Sequence, residues 1–183
     1  MNQSKAILII VVVLTLTLVG MIAKKQYTLN TGALVVLKTT PVDPRSLFRG
    51  DYVRLNYAIS RLNVNQFPLL HELEEHDPVF VALKKQGVFW QPIAVFKSMP
   101  EAENDTVVIK GYINSSSRGG WNAQVSIRYG IENYFVPEGE GRDLEGLRNQ
   151  GNISMRIAVD GFGNSGIKAV LLNGESIYVE ALF

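Results

Sequence analysis

The chain has 183 residues, enough for one domain of ordinary size plus an appendage, and its 18 Lys and Arg against 17 Asp and Glu leave a formal net charge of +1. That balance excludes overall charge as a basis for binding nucleic acid or for a purely electrostatic membrane attachment. Cysteine is absent, which removes disulfides, thiolate metal sites and a cysteine nucleophile, and the only histidines are His71 and His76, so neither a metal nor a cofactor is expected.

Residues 6–23, AILIIVVVLTLTLVGMIA, carry no charge and are bounded by Lys5 and by Lys24-Lys25. As a helix this run is roughly 27 Å long at about 1.5 Å per residue, close to the hydrocarbon thickness of a bilayer. A cleaved signal peptide would have a shorter apolar core, and Ile22-Ala23-Lys24-Lys25 is a poor cleavage site. A buried core helix would show a polar face. The run is therefore expected to be a single-pass anchor in the cytoplasmic membrane, behind a tail of residues 1–5 and ahead of a polar tether, residues 24–32. Lys5 on one side and Lys24-Lys25 on the other nearly balance the positive-inside count. The very short leading tail favours a domain outside the cytoplasm.

From residue 33 onward the pattern is strand-like. Leu34 to Leu37 form a continuous apolar run, as in a strand buried on both faces. Val53, Leu55, Tyr57 and Ile59 alternate with Tyr52, Arg54, Asn56 and Ala58, which predicts a half-buried strand with Leu55 and Tyr57 in the core. A short helix is expected over residues 59–67 and another over 137–150. Residues 79–85 and 88–96 flank Lys85-Gln86-Gly87 as a hairpin; Val107, Ile109 and Ile113 share one face, as do Val125, Ile127 and Tyr129. Asn173-Gly174 marks a two-residue type I′ turn before a last strand. The sum is a mainly β domain over residues 33–183, an antiparallel barrel or sandwich with one or two short helices.

Residues 41–59, PVDPRSLFRGDYVRLNYAI, concentrate charge and turn formers ahead of a strand. Pro41 and Pro44 stiffen the connector, and Asp43-Pro44 and Gly50-Asp51 turn it. Gly50 permits a close approach that a side chain would block. Asp43 and Asp51 can satisfy backbone amides and the arginines to make a polar corner. Alternatively Arg45, Arg49, Asp51, Tyr52 and Arg54 bind an anionic ligand or an acidic partner segment, because guanidinium groups pair planar oxyanions well.

The stretch FRGDYVRLNY fits GDY-x-x-L-x-Y on Gly50, Asp51, Tyr52, Leu55 and Tyr57, and so resembles the GDYXXLXY family of bacterial membrane-anchored proteins. YGIENYFVPEGEGRDLE, residues 129–145, resembles that family's second recurrent block. The resemblance implies an extracytoplasmic domain behind one helix, without an established biochemical activity, and a polytopic membrane protein as partner.

In that second block Glu138, Glu140, Asp143 and Glu145 cluster with three glycines. Such acids suit a helix start, the arginine loop, or a hard cation, although their spacing is not that of an EF-hand. Glu138 and Glu140 join the candidate binding residues. His71 and His76, in LLHELEEHDPVF, are one residue too far apart for a single helical turn and read as an acidic connector. Trp121 reads as a hairpin tip. Signal peptidases are similar in outline, but where their nucleophilic serine would precede Gly-Asp this chain has Val42, and Ser46 lies too close. A binding or assembly subunit is expected, with a peptidase-like hydrolase using the loops around Gly50-Asp51 and Glu138-Glu140 as the alternative.

Overall fold

In the computed structural model, residues 3–40, 52–101, 103–117, 123–135 and 153–179 are described. The helix α1 (Gln3–Thr31) leads into β1 (Ala33–Thr40), β2 (Tyr52–Arg54), β3 (Asn56–Tyr57), β4 (Arg61–Asn63), β5 (Pro78–Gln86) and β6 (Phe89–Phe96). The remaining strands are β7 (Thr106–Ser117), β8 (Gln124–Arg128), β9 (Asn133–Phe135), β10 (Ile153–Val159), β11 (Ser165–Leu172) and β12 (Glu175–Val179). They form one five-stranded sheet in the order β12-β11-β10-β1-β3, a second in the order β4-β8-β7-β5-β6, and a two-stranded ribbon β2-β9. The protein is mainly β and antiparallel, as the alternation of apolar residues indicates.

Two hairpins follow their turn residues. Leu172 pairs with Glu175 across Asn173 (φ 52°) and Gly174 (φ 91°), the positive values a type I′ turn needs. Gln86 pairs with Phe89 across Gly87 (φ 64°) and Val88. One core joins the two sheets: Val35, Leu37 and Met155 from the first are fully buried with Val81, Ile109 and Val125 from the second.

Three expectations are corrected. The run at 34–37 is buried on one face only: Val35 and Leu37 are fully buried while Leu34 is 49% exposed, because β1 faces the core on a single side of an antiparallel sheet. Residues 59–67 are not a helix. A 3-10 turn at Ala58–Ser60 gives way to β4, whose Arg61 and Asn63 pair with Ser126 and Gln124. The apolar spacing of Ile59 and Leu62 mimics a helical face, but Leu62 and Val64, two apart, are both buried, which is the strand period. Finally, residues 24–31 are not a tether. They continue α1 to Thr31, so the helix has 29 residues and measures roughly 43 Å at about 1.5 Å per residue.

The helix runs on because the domain gives its last two turns something to pack against. Thr28 and Leu29 are buried on β10 and β11, whose paired Ala158 and Gly166 make a seat of small residues. A side-chain carbon on Gly166 would lie 2.8 Å from Leu29 Cδ2. Lys168 Nζ donates to the Leu29 carbonyl at 3.0 Å, filling one of the acceptors that a helix end leaves open. At Gly32 an added carbon would stand 2.5 Å from the Thr28 oxygen and 2.8 Å from Val159 N, so only glycine lets the chain leave the helix this close to β10.

Asp160 ties the junction together. Its Oδ2 accepts the Thr28 hydroxyl at 2.7 Å, and its Oδ1 accepts the amides of Phe162 and Asn164, both at 2.9 Å. Asn164 Nδ2 reaches both oxygens, at 3.2 and 3.0 Å. The same turn crosses to the second sheet, where Gly163 O accepts Lys110 N at 2.9 Å. Burial pushes the Asp160 carboxyl up, but the bonds from Thr28, Asn164 and Phe162 outweigh it and hold it below its ordinary value of 3.8.

Within the apolar part of α1, Thr15 and Thr17 donate to the carbonyls of Val11 and Val13 at 2.9 and 2.8 Å, which leaves no hydroxyl donor unsatisfied in a bilayer. The helix is long and apolar enough to cross a membrane, and its most apolar window is covered by none of the other described residues.

Replacing Thr28 by Val keeps the side-chain shape and strips a buried carboxylate of one donor. The expected cost is about 1–3 kcal/mol, read as a lower thermal midpoint in detergent. Thr31→Val, which loses only an exposed bond to Tyr27 O, serves as the neutral control. A depressed carboxyl contributes stability above its ordinary value and loses it as pH falls through the folded value, so the gap between wild type and Thr28→Val should narrow in acid. Equal midpoints at neutral pH would remove Asp160 from this role.

Candidate functional site

The two sequence blocks singled out above lie side by side. In β2 and β9, Tyr52 pairs with Phe135, Val53 with Tyr134 and Arg54 with Asn133. The ladder continues through Leu55 N, which donates to Glu132 O at 2.7 Å. After Leu55 the chain changes partner: Tyr57 in β3 pairs with Thr39 of β1. The single strand expected over residues 53–59 is thus broken into two short strands and a 3-10 turn, although Leu55, Tyr57 and Ile59 are all buried core residues.

Two tyrosines clamp the blocks together. Tyr57 Oη donates to the Ile131 carbonyl at 2.7 Å, and Tyr129 Oη donates to the Ile59 carbonyl at 2.9 Å. Each block therefore inserts a ring into the core and closes on the other's backbone. Burial, reinforced by the Glu132 carboxylate, raises both phenols above their ordinary value, so both remain neutral donors. Glu132 shapes the turn between the rings: its Oε1 accepts Tyr129 N at 2.6 Å and its Oε2 accepts Gly130 N at 2.9 Å, with Gly130 at φ 80°. Gly111 makes room for the second ring, since a carbon added there would meet Tyr129 Cδ1 at 2.9 Å and Arg128 O at 3.0 Å.

Strand alternation puts Tyr57 in the core, but no local signal marks its acceptor or the roles of Glu132, Gly130 and Gly111. The period-two pattern reports a buried ring but not the remote carbonyl its hydroxyl finds.

Of the candidate binding residues, Arg45, Arg49, Asp51, Glu138 and Glu140 lie outside the described residues, as do Gly50, Asp143, Glu145, Trp121 and the expected helix at 137–150. Tyr52 and Arg54 are placed by their backbone in β2. The residues that flank the two segments are nevertheless neighbours at both ends. Thr40 and Ile153 adjoin through the Thr39 hydroxyl, which donates to Ile153 O at 2.6 Å, and Tyr52 pairs with Phe135. These are the described residues that border segments 41–51 and 136–152 in sequence.

His71 closes a 3-10 turn at Pro68–Glu72, while His76 sits at φ 73° with its amide bonded to Ile113 O at 2.8 Å. The connector they occupy is not wholly solvated, because Leu70 and Leu73 are buried. On the outer face of the second sheet Lys110 Nζ lies 5.7 Å from the Phe80 ring and 5.6 Å from the Tyr112 ring, a cation held over two aromatic faces. Among the described residues no group of three or more His, Asp or Glu side chains could hold a metal ion.

The clamp predicts that Tyr57→Phe and Tyr129→Phe each cost about 1–3 kcal/mol, since each leaves a buried carbonyl without its donor. The two carbonyls belong to opposite blocks, so the double variant should depart from additivity in a denaturant titration. Additive, near-zero effects would mean that ring burial alone joins the blocks.

A family model described as GDYXXLXY protein matches residues 14–170, from within α1 to within β11. No curated protein and no solved structure matches the chain. The matched span covers most of the chain and contains Gly50-Asp51-Tyr52, Leu55, Tyr57 and the block around Tyr129 whose pairing builds the clamp; the protein belongs to the GDYXXLXY family.

Proposed function

We propose that the protein is a membrane-anchored binding or assembly subunit of a bacterial envelope complex, with its β domain outside the cytoplasm and a polytopic membrane protein as partner. The observation that carries this reading is the junction. A long apolar helix joined to its domain through Thr28, Leu29 and Asp160 passes orientation directly from one to the other, which suits a subunit that must present a surface at a set height and angle above a membrane. A loosely tethered domain would gain nothing from a buried carboxylate at that place.

The binding surface on this reading is the charged pair of segments around the ribbon: Arg45, Arg49, Asp51, Tyr52 and Arg54 with Glu138 and Glu140. Support comes from the flanks, which are neighbours at both ends, and from the core positions in the same motif. Leu55 and Tyr57 are spent on folding, so the charged members are the ones left to meet a partner.

Purification from native membranes in mild detergent tests the reading, with mass spectrometry of what comes along. Wild type should bring down a polytopic membrane protein. Arg49→Ala and Glu138→Gln/Glu140→Gln should lose it while keeping the wild-type midpoint, since an exposed ion pair is worth about 0–1 kcal/mol. Leu55→Ala should do the reverse and cost roughly 2–5 kcal/mol. Orientation is read in the same cells from Val88→Cys, exposed on the β5–β6 turn in a chain without other cysteines, which an impermeant maleimide should label in intact spheroplasts. An unlabelled cysteine, or a hydrolytic turnover abolished by the Glu138→Gln/Glu140→Gln variant with partners retained, would overturn it.

A further inference from the structure

The apolar run ends at Ala23, but large apolar side chains remain exposed beyond it, where α1 meets the sheets. Tyr27 is 54% exposed on the helix, and Phe162, at the tip of the β10–β11 turn, is 71% exposed, more than the side chains of the spanning run itself. An isolated exposed aromatic is common on a protein surface. Here both belong to elements that the Asp160 junction joins, α1 and the β10–β11 turn.

Tyr27 lies four residues past Ala23, about 6 Å along the helix axis at about 1.5 Å per residue. The backbone of Phe162 is held close to the next residue of the helix, because its amide and the Thr28 hydroxyl share the Asp160 carboxylate. The polar layer on each side of a bilayer is about 5–8 Å deep, from the difference between hydrocarbon and total thickness. Tyrosines collect in that layer, apolar rings of surface-seated segments bury at its boundary with the acyl chains, and lysines reach into it from helix ends. Lys24 and Lys25, both exposed, occupy the intervening positions. Continuity with the spanning helix thus commits this surface to one occupant.

We propose that the β10–β11 turn is a second membrane contact: Phe162, together with Tyr27 on α1, seats in the lipid headgroup layer and sets the tilt of the β domain on the bilayer. The site would take no particular headgroup, since an apolar ring at Phe162 and a phenol at Tyr27 supply packing and no directed charge. Two points of attachment, the helix and the turn, define an orientation where one would leave the domain free to lean. The proposal rests on α1 spanning the membrane, and the test separates the two ideas.

The natural chain has no cysteine, so a single introduced one reports alone. Phe162→Cys carries an environment-sensitive fluorophore on the full-length protein in phosphatidylcholine nanodiscs. Gly161→Cys provides a second position, where an added Cβ meets no atom within 4 Å. Leu14→Cys, mid-helix, tests the span itself. Headgroup-attached nitroxide should quench the labels at 162 and 161 more strongly than nitroxide at mid-chain, with aqueous iodide quenching them weakly; the label at 14 should show the opposite lipid order. Strong quenching at 162 and 161 by iodide alone would overturn the contact. Quenching there by neither agent would also overturn it, indicating a protein cover or a second copy instead. Failure of deep nitroxide to reach position 14 would remove the spanning helix and the contact together, and would be recognised as such.

Discussion

A single buried carboxylate, Asp160, joins the long apolar helix α1 to a hairpin turn that reaches both sheets. It lies 132 residues from Thr28 in sequence and 2.7 Å from it in space. Without that acceptor the Thr28 hydroxyl would be buried with only the 3.3 Å contact to Lys24 O inside its own helix. Without the amides of Phe162 and Asn164 the carboxylate would carry an uncompensated burial cost. The turn they close is the one whose Gly163 carbonyl meets β7. One charge thereby stabilises three local structures that would otherwise each need their own support, and α1 stays continuous from its apolar run to the sheet.

The family motif has a related logic. Leu55 and Tyr57 supply apolar volume, while the tyrosine hydroxyl specifies which backbone it may close on, namely Ile131. Tyr129 returns the contact from the other block. A hydrophobic core alone tolerates shifts of register; a buried hydroxyl with a single carbonyl in reach does not. The motif spacing therefore reads as an instruction for joining two remote segments. The charged residues that travel with it, Arg49 and Asp51 on one side and Glu138 and Glu140 on the other, belong to segments whose flanks this joining brings together.

Much of this architecture is legible wherever a local period decides it. The uncharged stretch to Ala23, the Asn173-Gly174 turn and the alternation at Val125, Ile127 and Tyr129 each act through neighbours in sequence. Legibility fails where tertiary contacts outvote local preference. Gln26 to Thr31 look like a polar linker until the β10–β11 seat is present, and Ile59 with Leu62 suggests a helix until β8 offers a pairing edge. Leu34 looked buried because its run is apolar, but exposure is set by which side of β1 the core occupies. Glu132 illustrates the same limit, since nothing in NYF or its neighbours announces that its carboxylate will cap two amides.

The central claim is that anchor and domain form one rigid body, and a distance distribution measures it most directly. Spin labels at Leu18→Cys, exposed in the apolar run of α1, and at Lys84→Cys, exposed on β5, can be placed without background because the chain has no cysteine. In nanodiscs, double electron–electron resonance should return one narrow distribution that broadens when Thr28→Val is added. A broad or multimodal distribution in the otherwise wild-type protein would contradict the account, because a domain that swings on its anchor has no use for the Asp160 latch.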